Sequence, residues 1–419
     1  MLAPPTTAAT APASPMVAST FLDPRTAMSW DAVRWDRELT SMRSAGLTTV
    51  VLQASVELRD GKTMAYYPSD LPGVRRATPE SGAPSDVVGT LLASAKTHGM
   101  TVWLGLYRDA RPERFAPTST IATTLAQDAS ITRAVAAELR HAYSTYRSTI
   151  MGWYLPAEIN TNYTDEPARS AIRGYYRDVV AHLRAPSHRY PVMVSPYFNA
   201  GAGVTPGVWR AFWAQTLTAA PLDVLALQDG AGDIPGVPRG RAELDATLTT
   251  WFAATRAAIT DARARTALWS NLNLYEFTGA AATVGDVASN ARAVRPHVTG
   301  YTSFSFTSNY SPWTLGTDRY ATVFGTWNTT GTLPTGTPTA PVPGSVTRAR
   351  GVLTLTWAAS TSTSGTQIAY YRLFDTDTGR YLTTVWGVST TLATTARCAS
   401  VAAFDVAGNV STRAPLCAP

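Results

Sequence analysis

The hydrophobic residues in the first three quarters of the chain form short β-rich runs, separated by stretches in which apolar positions have helical spacing. The runs predict strands at 16–22, 48–55, 101–107, 150–155, 191–197, 224–228, 266–271 and 300–306. The stretches between them predict helices at 31–46, 86–99, 131–146, 167–183, 208–218, 242–261 and 284–294. Strands that alternate with helices favour parallel pairing through crossover connections.

Eight strands with helices between them in residues 16–329 predict an α/β fold, a (β/α)8 TIM barrel. A doubly wound open sheet is the alternative. No G-x-G-x-x-G motif follows the first predicted strand, and eight units is the number that closes a barrel, so we favour the barrel. The first 15 residues are rich in Pro, Ala and Thr, and we expect them to be disordered.

The last quarter of the chain has a different pattern. Residues 330–344 are rich in Pro, Gly and Thr, which predicts a linker to a semi-independent module. Residues 345–419 contain short alternating runs (VLTLTW, YYRLFD, YLTTVW, TTLAT and SVAAFDVAG) without helical spacing, which predicts an all-β sandwich. Trp357, Tyr371 and the turn at 403–409 resemble the fibronectin type III module of secreted bacterial hydrolases.

Composition narrows the possible partners and the cellular location. The net charge of +6 is spread along the chain without a run of five or more Lys or Arg, which argues against nucleic-acid binding. No apolar run reaches the roughly 18 residues of a membrane-spanning helix. The N-terminal sequence resembles the stretch that follows a removed signal peptide, so we expect a secreted protein whose signal peptide is absent from this sequence. We favour a monomer.

The two cysteines, Cys398 and Cys417, both lie in the last 25 residues. In a secreted protein they predict a disulfide bond. Two free buried thiols would instead fit a cytosolic protein, and a zinc site would need further ligands nearby.

Alternation along each predicted strand separates side chains that face the helices from those that face the barrel interior. The inward set is polar and aromatic towards the strands' carboxyl ends, where barrel active sites lie. It comprises Gln53, Glu57, Tyr107, Tyr154, Glu158, Tyr197, Gln228, Asn271 and Asn273. On the eighth strand the same reasoning places Ser303 and Ser305 inward. Such a pocket suits a hydroxyl-rich ligand, and we expect a carbohydrate substrate.

The candidate chemistry is hydrolysis by two carboxylates, one acting as acid and the other as base or nucleophile. Glu158, in GWYLPAEIN, follows the fourth strand with inward parity and is flanked by Trp153, Tyr154 and Asn160. We expect it to be the general acid, kept protonated by its aromatic surroundings. The histidines form no H-E-x-x-H or H-x-H motif, and no G-x-S-x-G or phosphate-binding loop occurs. We therefore expect no metal and no cofactor.

An ordered series of strand-end motifs carries a family resemblance: TFLDP, YYPSD, LLASAKTHGMTVWLGLY, GWYLPAEIN, VSPYF, LALQDGAG and LWSNLNLYEF. Over about residues 18–325 the chain resembles a family of secreted bacterial proteins that is classified as a domain of unknown function and grouped with TIM-barrel glycoside hydrolases. The resemblance implies a (β/α)8 barrel and carbohydrate-active chemistry. Motif by motif, it implies pocket positions for Tyr107, Trp153, Tyr154, Glu158, Ser195, Tyr197, Gln228, Asp229, Trp269 and Asn271.

The second carboxylate departs from the family pattern. After strand seven the family tends to W-x-N-x-E, and here Asn273 takes the acidic position, with Glu276 three residues later. We predict Glu276 as the partner of Glu158, with Asp229 and Glu57 as alternatives. The main hypothesis is a retaining, metal-free glycoside hydrolase. The alternatives are a carbohydrate-binding barrel that has lost one catalytic carboxylate, and an adhesion or scaffold protein.

Overall fold

The computed structural model describes residues 16–80, 82–111, 120–160, 163, 165–184, 190–201, 204–231, 240–276 and 279–417, so the first 15 residues lie outside the described chain. The first twelve strands are β1 Ser19–Leu22, β2 Thr49–Leu52, β3 Val56–Arg59, β4 Lys62–Ala65, β5 Arg75–Arg76, β6 Thr101–Gly105, β7 Tyr107–Asp109, β8 Ile150–Leu155, β9 Val192–Val194, β10 Val224–Gln228, β11 Ala267–Asn273 and β12 Gly300–Phe304. Eight of them form a closed parallel barrel in the order β1-β2-β6-β8-β9-β10-β11-β12. The predicted fold class is confirmed.

The barrel is surrounded by helices, seven of which overlap the predicted ones; the helix predicted at 131–146 begins ten residues earlier, at Ile121. They are α1 Pro24–Ala27, α2 Ala32–Ser44, α3 Val87–Thr97, α4 Ile121–Ala142, α5 Glu166–Leu183, α6 Pro206–Ala219, α7 Arg241–Asp261, α8 Val284–Val294, α9 Phe306–Asn309, α10 Pro312–Leu315 and α11 Arg319–Thr330. Asp31 and Asp86 cap α2 and α3, each carboxylate accepting a backbone N–H three residues on at 2.7 Å. Nowhere in the described part of the chain is a helix both long and apolar enough to cross a membrane.

The barrel interior is packed with aromatic and aliphatic side chains. Phe21, Val51, Trp103, Tyr154, Met193, Val224 and Ala226 form its buried cluster, with Trp269 and Phe304 packed against it. Glycines make room for the two tryptophans: a Cβ on Gly152 would lie 2.2 Å from the Trp103 ring, and one on Gly300 would lie 2.8 Å from the Trp269 ring nitrogen. The interior is therefore a filled core, as barrel interiors generally are.

The predicted inward parity is right for these strands but wrong for the eighth. Phe304 points inward and packs on Phe21, with ring centroids 5.7 Å apart. Ser305 already caps α9, so the strand ends two residues before its predicted end. The prediction put phenylalanine on the helix side because that side is usually aliphatic. In this barrel aromatic rings also fill the interior, so hydrophobicity alone did not distinguish the two faces.

A small sheet that the sequence did not predict stands beside the mouth of the barrel, in the order β5-β4-β3-β7. Its strand β3 follows closely on β2, and β7 directly continues β6, so two barrel strands extend past the rim. Their extensions pair in parallel, Glu57 opposite Arg108. We call this four-stranded sheet the wall.

The C-terminal strands are β13 Val342–Ala349, β14 Val352–Ala358, β15 Ile368–Asp375, β16 Tyr381–Val385, β17 Ser389–Ala393, β18 Cys398–Asp405 and β19 Ala414–Cys417. They form two antiparallel sheets, β13-β14-β17 and β16-β15-β18-β19, which confirms the all-β module. Its assignment as fibronectin type III stays a prediction. Cys398 and Cys417 are opposite residues on β18 and β19, with Cα atoms 4.3 Å apart, and form the predicted disulfide.

The sandwich is docked on the barrel. The backbone N–H of Val284 donates to the Val406 carbonyl at 2.9 Å, and Gly285 lies so close that a Cβ would come within 2.4 Å of the Ala407 carbonyl oxygen. Tyr370 and Val406 belong to the same buried cluster as the barrel helices. This contact does not support the semi-independent module that the Pro-rich segment predicts, because a segment's composition says nothing about what the following domain packs on.

Candidate active site

A hydrogen-bonded network of polar side chains lies at the carboxyl ends of β9, β10 and β11. Ser195 Oγ donates to the Ala226 carbonyl at 2.8 Å and accepts from Asn271 Nδ2 at 3.0 Å. Gln228 Nε2 donates to the Ser195 carbonyl at 3.0 Å. Asn271 Oδ1 is buried, and within the described structure it has no hydrogen-bond partner. Buried acceptors are normally satisfied, so this oxygen could receive a hydroxyl proton from a ligand.

Glu158 lies in the segment that follows β8. Its side chain is half-buried, between the buried residues Ala157 and Ile159. The segment is held from two sides: Tyr197 N–H donates to the Ile159 carbonyl at 3.2 Å, and Asn160 Nδ2 donates to the Tyr197 hydroxyl at 2.7 Å. The sequence therefore presents one carboxylate from a fixed loop at the functional end of the barrel.

Tyr154 connects Glu158 with the wall. Its ring is buried in the barrel interior, edge-to-face with Phe21 at 5.1 Å. Burial raises the pKa of Tyr154, the Glu158 carboxylate raises it further, and the Arg108 guanidinium opposes both. Glu158 and Arg108 therefore both lie within electrostatic reach of the Tyr154 hydroxyl.

Glu57, on β3 of the wall, is a buried carboxylate surrounded by donors. Arg59 Nε and Nη2 donate to it at 3.3 and 3.1 Å, and the Tyr66 hydroxyl donates at 3.0 Å. Arg108 Nη1 lies 3.5 Å from it and Arg25 Nε lies 3.8 Å from it. Burial, followed by the Glu57 charge, raises the pKa of Tyr66. These contacts fix the position of the Glu57 carboxylate on the wall.

Glu276, the predicted partner of Glu158, lies elsewhere. Its carboxylate forms an ion pair with Arg372 of the sandwich strand β15, and Arg372 also donates to Asp286 at 3.2 Å and to the Tyr370 hydroxyl at 2.9 Å. Glu276 lies beyond the end of β11, in a turn where its N–H donates to the Ala280 carbonyl at 2.7 Å. The ion pair with the sandwich does not support Glu276 as the second catalytic carboxylate, and that assignment stays a prediction.

Asp229 is also unsuited to that role. It is fully buried, and its oxygens accept from the backbone N–H groups of Ala231 and Asn273 at 3.2 and 3.1 Å and from Asn290 Nδ2, on α8, at 3.2 Å. Burial raises the pKa of Asp229 to about 6, against the hydrogen bonds that lower it. This carboxylate connects the end of β10 with β11 and α8.

Two tryptophans that the family resemblance implied at the pocket are not there. Trp153 has no exposed surface and faces the helices, edge-to-face with Tyr190 at 5.5 Å. Trp269 packs against Trp103 in the barrel interior, two residues before Asn271 on its strand. Both are explained by packing.

The remaining predicted residues lie near the mouth. Gln53 is buried directly after β2, Tyr107 is buried on β7, and Asn273 ends β11. The residues that sequence reasoning missed are the basic ones: Arg25, Arg59 and Arg108. Arg59 could have been found, because it shares the strand face of Glu57 two residues before it. In the described residues no three or more His, Cys, Asp or Glu side chains form a metal-binding group, so the prediction of no metal stays a prediction.

Three solved structures with a similar fold are glycoside hydrolases by description. A putative α-L-fucosidase from Bacteroides thetaiotaomicron VPI-5482 has a TM-score of 0.56 at 17% identity, over 74% of this chain and 93% of that chain. The endo-1,4-β-D-mannanase from Thermotoga petrophila RKU-1 gives 0.50 at 14%, over 70% and 88%. A further structure of a Thermotoga petrophila mannanase gives 0.51 at 11%, over 96% and 97%. At these identities the likeness establishes the barrel fold.

The search of curated proteins returns no match. The family comparison does: the profile described as "Domain of unknown function (DUF4434)" matches residues 17–315. The predicted resemblance to a domain of unknown function on a glycosidase-like barrel is thereby confirmed. Because the match covers well over half of the sequence, the chain belongs to the DUF4434 family.

Proposed function

We propose that this protein is a glycoside hydrolase that cleaves an oligosaccharide or polysaccharide, with Glu158 as the general acid. The observation that carries the proposal is the neighbourhood of Glu158, Tyr154, Arg108 and Glu57 at the carboxyl end of the barrel. Two carboxylates at such a mouth can serve a sugar bound between them, one protonating the leaving oxygen and the other acting on the anomeric carbon.

Glu57 takes the second role in this proposal, because it lies on the wall beside Arg108, whereas Glu276 pairs with the sandwich and Asp229 is fully buried. An ionised base or nucleophile must resist protonation while the acid keeps its proton. Arg59 and the Tyr66 hydroxyl donate to the Glu57 carboxylate and hold it in place for such a role. The network of Ser195, Gln228 and Asn271 supplies polar groups for sugar hydroxyls on the opposite side of the mouth.

The finer features are part of the proposal. Export from the cell is supported by the disulfide, since such bonds persist in oxidising compartments. Retention of configuration follows if Glu57 and Glu158 act as nucleophile and acid/base, and proton NMR of the first-formed anomer tests it.

A carbohydrate-binding barrel without turnover is the second candidate function. The observation that favours it is the strand-seven position, where Asn273 replaces an acid and Glu276 pairs with the sandwich. Affinity for a glycan without release of reducing sugar would select this candidate.

The test is a reducing-sugar assay over bacterial and plant polysaccharides, followed by variants assayed on the best substrate. Glu158→Gln should lower turnover by about 10²- to 10⁴-fold, the usual share of general acid–base catalysis, and should spare activated aryl glycosides more than poor leaving groups. Glu57→Gln should lower turnover on both substrate types. Glu276→Gln is the matched control and should leave turnover unchanged. Wild-type turnover in Glu158→Gln would end the assignment.

A further inference from the structure

We propose that the substrate is an acidic glycan, whose carboxylate-bearing sugar is bound by Arg108 on the wall. This inference rests on the proposed function and specifies the chemical class of its substrate.

The wall carries a surplus of positive charge. Its four strands contain five basic side chains, Arg59, Lys62, Arg75, Arg76 and Arg108, and two acidic ones, Glu57 and Asp109. The β3–β4 turn adds one acid, Asp60. The β4–β5 connection adds another, Asp70, which leaves a net charge of +1 from five basic and four acidic side chains. Arginines beside a binding mouth attract ligands of negative charge.

Three arginines meet at Glu57, but they are not equivalent. Arg59 directs its fork at Glu57, and Arg25 directs its fork at Asp23. Arg108 approaches Glu57 only to 3.5 Å, and no hydrogen bond from its guanidinium is found within the described chain. Its side chain is 19% exposed. A largely buried guanidinium with uncommitted N–H groups is suited to a carboxylate, which it can bind through two parallel hydrogen bonds.

The position of Arg108 indicates which sugar unit of the bound glycan carries the carboxylate. Arg108 Nη1 lies 3.5 Å from the Glu57 carboxylate, and Arg108 and Glu158 are the two charged groups that act on the Tyr154 phenol. A sugar bound between the proposed acid and its partner would therefore place a carboxyl group within reach of Arg108. Repulsion from Glu57 is limited, since its carboxylate is already paired with Arg59.

The test measures binding separately from turnover. Glu158→Gln serves as the background, and calorimetry measures its affinity for oligogalacturonate, oligomannuronate and glucuronic-acid-substituted xylo-oligosaccharides, each beside its carboxyl-reduced counterpart. We expect at least one uronate ligand to bind about 10- to 100-fold tighter than its reduced form. Adding Arg108→Gln should remove that difference and leave the reduced form's affinity unchanged. Arg210→Gln, which removes a surface charge paired with Asp261 on the outer helices, is the matched control and should change neither.

The outcomes separate this inference from the proposed function. Tight uronate binding that depends on Arg108, with no turnover by the wild-type protein on the same ligand, would leave the inference standing and remove the hydrolase proposal. Turnover of neutral glycans only, with no uronate preference in binding, would overturn the inference and keep the hydrolase. Sulfated oligosaccharides that bind more tightly than uronates with the same Arg108 dependence would overturn the assignment to a carboxylate.

Discussion

Replacing Glu276 by glutamine separates a catalytic role for this residue from a structural one. The Glu276 side chain is 12% exposed and the Arg372 side chain 23%, so the pair is intermediate between a buried and a surface salt bridge. Removing one partner of a buried pair costs about 3–5 kcal/mol, whereas exposed pairs contribute about 0–1 kcal/mol. Arg372 keeps Asp286 and the Tyr370 hydroxyl as partners, and glutamine keeps an acceptor oxygen. We therefore expect a loss of about 1–2 kcal/mol in the free energy of unfolding.

Urea unfolding of the full chain, monitored by fluorescence, measures this loss. The control is Glu166→Gln, which breaks the pair between Glu166 and Arg173 on α5, where the glutamate side chain is 65% exposed, and should change stability little. Turnover of folded Glu276→Gln should equal that of the wild-type protein. A loss of turnover above 100-fold at unchanged stability would refute the reasoning and return Glu276 to the active site.

Three further predictions concern stability. Replacing Cys398 and Cys417 together by serine should lower the free energy of unfolding by about 3 kcal/mol, the loop-entropy value for a closure of 19 residues, and chemical unfolding under non-reducing conditions measures it. The native Asp229 carboxyl binds its proton more tightly than the unfolded one, because its pKa is raised from 3.8 to about 6. Its contribution therefore makes the free energy of unfolding fall by about 2 kcal/mol as pH rises from 4 to 6. The Asp229→Asn variant should lack this pH dependence, so the difference in unfolding free energy between the two proteins should change between pH 4 and 6. A difference that stays constant with pH would contradict the assignment. Gly285→Ala should destabilise the protein by about 1–3 kcal/mol, because the new methyl group clashes with the sandwich backbone. The control Gly174→Ala, with no atom within 4 Å of the new methyl group, should stabilise it by up to about 1 kcal/mol. Thermal unfolding measures both variants, and an equal gain in stability for the two would contradict the docking of the sandwich.

The barrel could be predicted from the sequence because its signals are local. The period of two along a strand and the aspartate at the start of a helix each depend on neighbouring residues. The fourth and sixth strands, Ile150–Leu155 and Val224–Gln228, were predicted to the residue, as was the helix Val284–Val294. Inward parity placed Tyr154 and Asn271 correctly for the same reason.

The failures concern partners that are distant in sequence. Glu276 pairs with Arg372, 96 residues away on another domain, and the pattern around Glu276 contains no sign of that contact. Asp229 depends on Asn290, 61 residues away. The wall was missed because β3 and β7 continue barrel strands and so merge with them in a hydrophobicity profile. The wall arginines are separated in the sequence, and only the fold brings Arg59 and Arg108 together at Glu57.

The docking of the sandwich has a consequence for how this protein and its relatives can change. Tyr370, Val406 and Ala407 belong to the same buried cluster as the barrel helices. Neither domain can therefore be exchanged for an unrelated one without changing this shared core. A relative with a different C-terminal domain would need compensating substitutions at Val284, Gly285 and Asp286, which form the contact surface of α8. A small residue at the position of Gly285 should thus be inherited together with this sandwich. Recombination between family members should give a folded protein only when the crossover point leaves the barrel and its own sandwich together.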